Sequence, residues 1–263
     1  MFCLMTVATI HPKIEGLPSC LLCEEYKNEA GRIQSSLLPA RDLTATGVEV
    51  AFRYEPYAEV GGDFADFFVL MDGVIGLSVG DVVGKGLPGA MYAALVMGTL
   101  RGIHKTGVDP ASVLGLLNNR LLVRPVAGRF CATLYACFNP TTKQLSFSNA
   151  GLPFPLLLSN TGCRFLGQGG LPAGMFPKTI YDLHTVQLLE GDVVLFATDG
   201  LHELCNSQGM EFSAQRLTQI WSQCGEVSAA QALESVFDAL GAFSDTGQQD
   251  DITAVVLKVT AAP

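Results

Sequence analysis

The sequence predicts an α+β fold in which antiparallel sheets are covered by helices. Three observations predict it: strand-like segments follow one another in meander order, helical stretches come in pairs (residues 89–122 and 213–243), and no repeating strand–helix–strand alternation points to a parallel sheet. With 263 residues and 49% hydrophobic content, the chain can bury a substantial core. No internal repeat or low-complexity linker divides it. The expected organisation is a tail and leading helix over 1–40, then one domain over 41–263.

In chain order, residues 21–38 are expected to be helical. Leu22, Tyr26, Ala30, Ile33 and Leu37 recur at spacings of three and four, and Pro39 closes the run. That stripe can dock on the domain or pair with a second copy of the chain. From Val48 the period changes to two, with Val48, Val50, Phe52 and Tyr54 alternating as in a half-buried strand. Residues 64–71 and 74–79 read as a hairpin around Asp72-Gly73. Pro88, after Gly84-Lys85-Gly86, suits a helix start, and residues 89–104 follow as an apolar helix whose Met91, Leu95, Met97 and Leu100 are expected to pack in the core. A second helix over 110–122 begins after Asp109 as its N-cap. Strands are expected over 131–138, 145–149, 154–158, 181–188 and 192–198, helices over 213–223 and 228–243, and a last strand over 252–259.

The formal charge of -9 and pI near 4.8 argue against nucleic-acid or anionic-membrane partners, which would call for a basic patch. An acidic protein can still act on a phosphorylated one, because bound cations reverse the local field. The first ten residues are apolar but lack the basic start of a signal peptide, and no stretch approaches the roughly 20 apolar residues that span a bilayer. A soluble, cytoplasmic protein is expected. Eight cysteines without framework spacing suit reduced, mostly buried thiols.

Four aspartates carry the chemistry: Asp63 after Gly61-Gly62, Asp81 after an apolar run, Asp199 before Gly200, and Asp250 ahead of the last strand. Each alone could be a turn former. Gathered together they would need cations, because uncompensated buried charge is costly. An all-oxygen ligand set selects hard ions such as Mg²⁺ or Mn²⁺, and a paired site of that kind suits phosphate-ester hydrolysis.

The runs Glu59-Val-Gly-Gly-Asp-Phe-Ala-Asp, Val79-Gly-Asp-Val-Val-Gly-Lys-Gly-Leu-Pro, Asn149-Ala-Gly-Leu-Pro-Phe-Pro, Ala197-Thr-Asp-Gly-Leu-His-Glu and Gln249-Asp-Asp-Ile-Thr, with Arg32-Ile-Gln-Ser-Ser-Leu-Leu-Pro ahead of them, occur in one order. As a set they resemble the SpoIIE/RsbU-type branch of the PPM (type 2C-like) metal-dependent protein serine/threonine phosphatases, over roughly residues 29 to 259. The resemblance implies an αββα sandwich with a centre for two divalent cations, Mn²⁺ or Mg²⁺, at one end. It implies that Asp63 and Asp81 hold or bridge the ions with the Val82 carbonyl assisting, that Asp199 and Asp250 complete the site, and that Asp251 ranks behind Asp250. An orienting role for Asp66 belongs to the same motif. The implied reaction is in-line attack on phosphorus by a water activated by the paired ions, without a covalent phosphoenzyme. The implied substrate is a phosphorylated STAS-type anti-sigma-factor antagonist in a partner-switching pathway, and the alternative is a catalytically weak or inactive binding member of the same fold. A homodimer through the leading helix is compatible with this reading. The family's helix after Asp81, here residues 89–104, is implicated in switching.

Two positions depart from the eukaryotic type 2C pattern. Val83 stands where many relatives carry a histidine viewed as the leaving-group acid, and Ala58 stands near the place of a phosphate-binding arginine. Other signals are weaker. Gly76-Leu-Ser-Val-Gly80 imitates a hydrolase elbow, but Ser78 lies inside an apolar alternation rather than at a strand-to-helix turn. Gly80 to Lys85 lacks the spacing and the hydroxyl of a Walker loop, and Lys85 reads as a solvated loop lysine. Cys20-Leu-Leu-Cys23 has no second pair at zinc spacing.

Overall fold

The computed structural model describes residues 19–70, 73–104 and 108–261, with side chains from residue 26 onward. Residue 71 at the expected strand end, residue 72 of the expected turn, the first ten residues and the Cys20 and Cys23 side chains lie outside that range. Two sheets stack between helices. One has six strands in the order β1 (Leu43–Ala45), β2 (Val48–Glu55), β11 (Ile252–Val259), β10 (Val193–Ala197), β7 (Leu156–Ser159) and β8 (Gly162–Phe165). The other has five, in the order β3 (Phe64–Val69), β4 (Ile75–Val82), β5 (Cys131–Asn139), β6 (Gln144–Ala150) and β9 (His184–Gln187). Every pairing is antiparallel, as the meander order predicts.

Side-chain alternation decides what each face buries. In β10, Val194 and Phe196 point between the sheets, where they meet Val255 and Leu257 of β11 and Ile75, Leu77 and Val79 of β4. Val193, Leu195 and Ala197 point the other way, onto Trp221 of α5 (Ala214–Trp221) and onto Val236 and Phe237 of α6 (Ala229–Phe243). The opposite outer core lies under α2 (Gly86–Ile103) and α3 (Pro110–Val123), whose Val96, Leu114 and Leu117 cover Phe64 and Tyr135. Three cores between four layers give the αββα sandwich. Because both faces of the central strands are buried, runs such as Val193-Val-Leu-Phe-Ala are continuously apolar rather than alternating.

The helix ends follow local chemistry. Asp109 caps α3 by accepting from the Ala111 and Ser112 N–H groups at 3.0 and 3.1 Å. Ser228 and Gln231 form a capping box at the head of α6. α2 starts at Gly86 rather than after Pro88, which a first helical turn accommodates because its N–H groups have no intrahelical acceptor.

Several expectations need correction. Only His184–Gln187 of residues 181–188 pairs as a strand, and residues 154–158 pair only from Leu156, after Pro153 and Pro155. The short edge strands β1 and β8 and the single-turn α4 (Gly200–Glu203) lack a periodicity long enough to read. Met91 and Leu95 are 68% and 52% exposed, whereas Met97 and Leu100 of the same helix are core. In α1 (Ser19–Leu37), Tyr26 and Ile33 of the expected stripe are exposed, while its Leu37 packs partly against the core under α2 and α3. The contact outside that stripe is Gln34, which meets the Gly61 loop, and the Leu37 carbonyl accepts from Arg101 of α2. Truncating Phe196, packed between the sheets, leaves a cavity at the centre of the molecule. Phe196→Ala should lower unfolding free energy by about 3–5 kcal/mol in chemical denaturation.

Candidate active site

Strand register brings the four aspartates to one end of the sandwich. Phe64 pairs with Gly80, so Asp63, just before β3, lies beside Asp81 near the end of β4. Ala197 pairs with Ala254, so Asp199, just after β10, and Asp250, just before β11, share an end of the other sheet. Thr198 joins the two halves: its hydroxyl donates to Asp63 Oδ2 at 2.7 Å and accepts from the Thr253 N–H at 3.0 Å.

The carboxylates act on one another's ionisation. Asp81 is pushed up to about 7, by burial first and then by the charges of Asp199 and Asp250. Burial, followed by the charge of Asp81, holds Asp63 well above the usual carboxylate range, and Asp63 is only 1% exposed. Asp199 is raised by burial and then by Asp250. Among the described residues, the one basic side chain in ion-pair reach of these four carboxylates is Lys85, at Asp250. Among the described residues no three His, Cys, Asp or Glu side chains close into a finished metal cage. Hard ions such as Mg²⁺ do not require one, since they keep several waters and take few carboxylates.

The loop that delivers Asp63 is built around glycine. A Cβ on Gly62 would stand 2.5 Å from the Val82 carbonyl oxygen, 3.1 Å from that of Gly84 and 3.4 Å from Asp81 Oδ1. Oxygens from the end of β4 and the loop after it therefore crowd a position that only a hydrogen can occupy. A Cβ on Gly61 would lie 2.1 Å from Asp251 Oδ2. Asp251 itself is buried and spends both oxygens on this loop: Oδ1 accepts from the Tyr57 N–H at 2.8 Å and Oδ2 from the Gly62 N–H at 2.7 Å. Both oxygens thus hold backbone, while its charge also bears on Asp63 and Asp81. From the other side, the Gln34 amide donates to the Gly61 carbonyl at 2.7 Å and accepts from the Gly61 N–H at 3.1 Å.

The remaining candidates sort as follows. Asp66 points away from the group and pairs with Arg101 of α2 at 2.6 Å. Lys85 is exposed, as a loop lysine is expected to be, but its ammonium sits 2.9 Å from Asp250 Oδ2. Ser78 is buried in mid-strand opposite Tyr135, with no elbow. Thr198, Gln34 and the anchoring by Asp251 were not anticipated. Thr198 lies within the quoted Asp199 motif, but nothing in the sequence reveals its bond to Asp63 across 135 residues.

A four-layer sandwich with this carboxylate end defines the PPM class of phosphatase fold. The family model described as Stage II sporulation protein E (SpoIIE) matches residues 71–260, and the chain belongs to that family, in the SpoIIE/RsbU branch of the PPM protein serine/threonine phosphatases. It is 25% identical over 240 residues to phosphoserine phosphatase RsbU of Bacillus subtilis, covering 89% of this chain and 71% of that protein. It is also 25% identical to protein IcfG of Synechocystis, over 90% of this chain but only 43% of IcfG. Among solved structures, the SiaA-PP2C domain of Pseudomonas aeruginosa superposes with a TM-score of 0.81 at 21% identity, covering 91% of this chain and 97% of that one. RsbX in complex with magnesium superposes with a TM-score of 0.64 at 16% identity, covering 84% and 99%. Among the described residues no helix is long and apolar enough to cross a membrane.

Asp251→Asn tests the anchoring role. The amide turns an N–H toward one of the two backbone donors, leaving that donor unsatisfied, so the variant should lose about 1–3 kcal/mol of stability. Hydrogen exchange should quicken at Tyr57 and Gly62.

Proposed function

We propose that this chain hydrolyses phosphoserine or phosphothreonine on a regulatory protein, with two divalent cations, Mn²⁺ or Mg²⁺, as cofactors. The carrying observation is the convergence of Asp63, Asp81, Asp199 and Asp250, with Asp81 pushed up to about 7 by burial and by the charges of Asp199 and Asp250. Such a group is under strain until cations neutralise it. The donor set fits hard ions, being made of carboxylates together with the Val82 carbonyl that crowds Gly62. Asp63, Asp81 and Val82 would hold or bridge the ions, and Asp199 and Asp250 would complete the site. When bound, paired cations lower the pKa of water toward neutrality and offset charge on the phosphoryl oxygens.

The chain's own residues prepare that chemistry. Thr198 fixes the orientation of Asp63, and Asp251 and Gln34 clamp the Gly61-Gly62 loop from opposite sides. Val83 can neither donate nor accept a side-chain proton, and Ala58 offers no grip on phosphate, so neither type 2C function is met at those positions. By likeness to RsbU, the substrate is a phosphorylated STAS-type anti-sigma-factor antagonist in a partner-switching pathway, met in the cytoplasm. No nucleic acid or membrane takes part.

Phosphate release from p-nitrophenyl phosphate and from a phosphoserine peptide should require Mn²⁺ or Mg²⁺ and cease with chelator. Asp81→Asn, Asp199→Asn and Asp250→Asn should each lower it on the order of 10²-fold or more, the scale of losing one electrostatic stabiliser. Metal binding without any release would identify a binding-only member of the fold.

A further inference from the structure

Lys85 has no part in the chemistry above, yet its surroundings are specific. Its ammonium lies 2.9 Å from Asp250 Oδ2, donates to the Gln249 carbonyl at 2.8 Å, and stands 5.2 Å from the centre of the Tyr57 ring. Gly84 and Gly86, with φ of 115° and 66°, bend the chain on either side, and Lys85 itself is extended at the head of α2. Among the described residues, the other ion pairs join Lys27 to Glu59, Arg53 to Glu55 and Glu234, Arg101 to Asp66 and Lys143 to Glu190. None of these reaches Asp63, Asp81, Asp199 or Asp250.

The geometry points to Lys85 as a tethered cation that competes with a divalent ion for Asp250, an inference that rests on the metal-dependent reading. An ammonium and a divalent ion on the same carboxylate oxygen repel each other at contact distance, so each weakens the hold on the other. Lys85 can leave at little cost. Its side chain and that of Asp250 are 55% and 50% exposed, and ion pairs so open to water are weak. It also has somewhere to go, because the Gln249 carbonyl and the Tyr57 ring remain as partners for the displaced ammonium. The exchange keeps Asp250 compensated when the ion departs, and lowers the affinity with which the ion is held. Lys85 acts here as a positioning residue, setting metal affinity without touching the phosphoester.

Calorimetric titration of Mn²⁺ into the metal-free chain tests this with no reference to turnover. In Lys85→Met the weaker binding step should tighten roughly two- to five-fold, the range set by exposed ion pairs. Lys85→Arg, which keeps the charge, should match the wild type. Lys27→Met, which removes a charge paired with Glu59 at 3.2 Å, should also leave the affinity unchanged. Equal or weaker binding in Lys85→Met, or equal tightening in Lys27→Met, would overturn the role given to Lys85 while leaving the metal reading intact. A wild-type chain that binds no Mn²⁺ would overturn the metal reading itself, and this inference with it. Should Lys85→Met fail to fold by circular dichroism, Lys85→Gln carries the same comparison.

Discussion

The constraint on which the rest depends is mutual repulsion among carboxylates held where water cannot fully screen them. Asp63 is closed off from solvent, and Asp81 is half withdrawn beside it, facing Asp199 and Asp250. Taking an unpaired charge out of water costs several kcal/mol even after relaxation, a sizeable part of the roughly 5–15 kcal/mol that holds a domain folded. Such a group persists only where a rigid frame imposes it and where compensation is available. Here the frame is three apolar cores stacked through four layers.

Rigidity at the site comes from contacts that span the chain. The two sheets meet through the bond from Thr198 to Asp63, and the loop before β3 is gripped by Asp251 from one side and Gln34 from the other. Glycine makes the closeness possible: at Gly61 and Gly62 any side chain would collide with Asp251 or with the Val82 carbonyl. The Gly-Gly-Asp motif thus serves packing and charge placement at once. α1 takes part through Gln34, and Arg101 ties the end of α1 to Asp66. The leading helix is therefore in physical contact with the loop that carries the first aspartate.

Local neutralisation distinguishes the individual carboxylates. Asp251 is satisfied by two backbone N–H groups, Asp66 by a guanidinium, and Asp250 by an exchangeable ammonium. Among the described residues no ion pair reaches Asp63 or Asp81; burial and then Asp81 raise Asp63, and burial and then Asp199 and Asp250 raise Asp81. This gradation separates carboxylates with local partners from those without, although all five belong to the same short motifs.

The sequence by itself determined the layers and marked the candidate positions at one end of them. Alternation in residues 48–54, paired helical periods, and aspartates at the ends of apolar runs are local patterns, and backbone geometry converts them directly into strands, helices and turns. The ordered motifs carried the family. Short elements such as β1, β8 and α4 were hidden, because three or four residues hold no readable period. Only the tertiary structure decided which face of α1 docks, that Asp251 holds a loop, and that Lys85 lies on Asp250. Each depends on groups brought together from far apart, such as the Tyr57 N–H and Asp251 across 194 residues, or on a loop trajectory set by packing. Side-chain direction at such places is fixed by what surrounds it, and the surroundings exist only once the sheets have stacked.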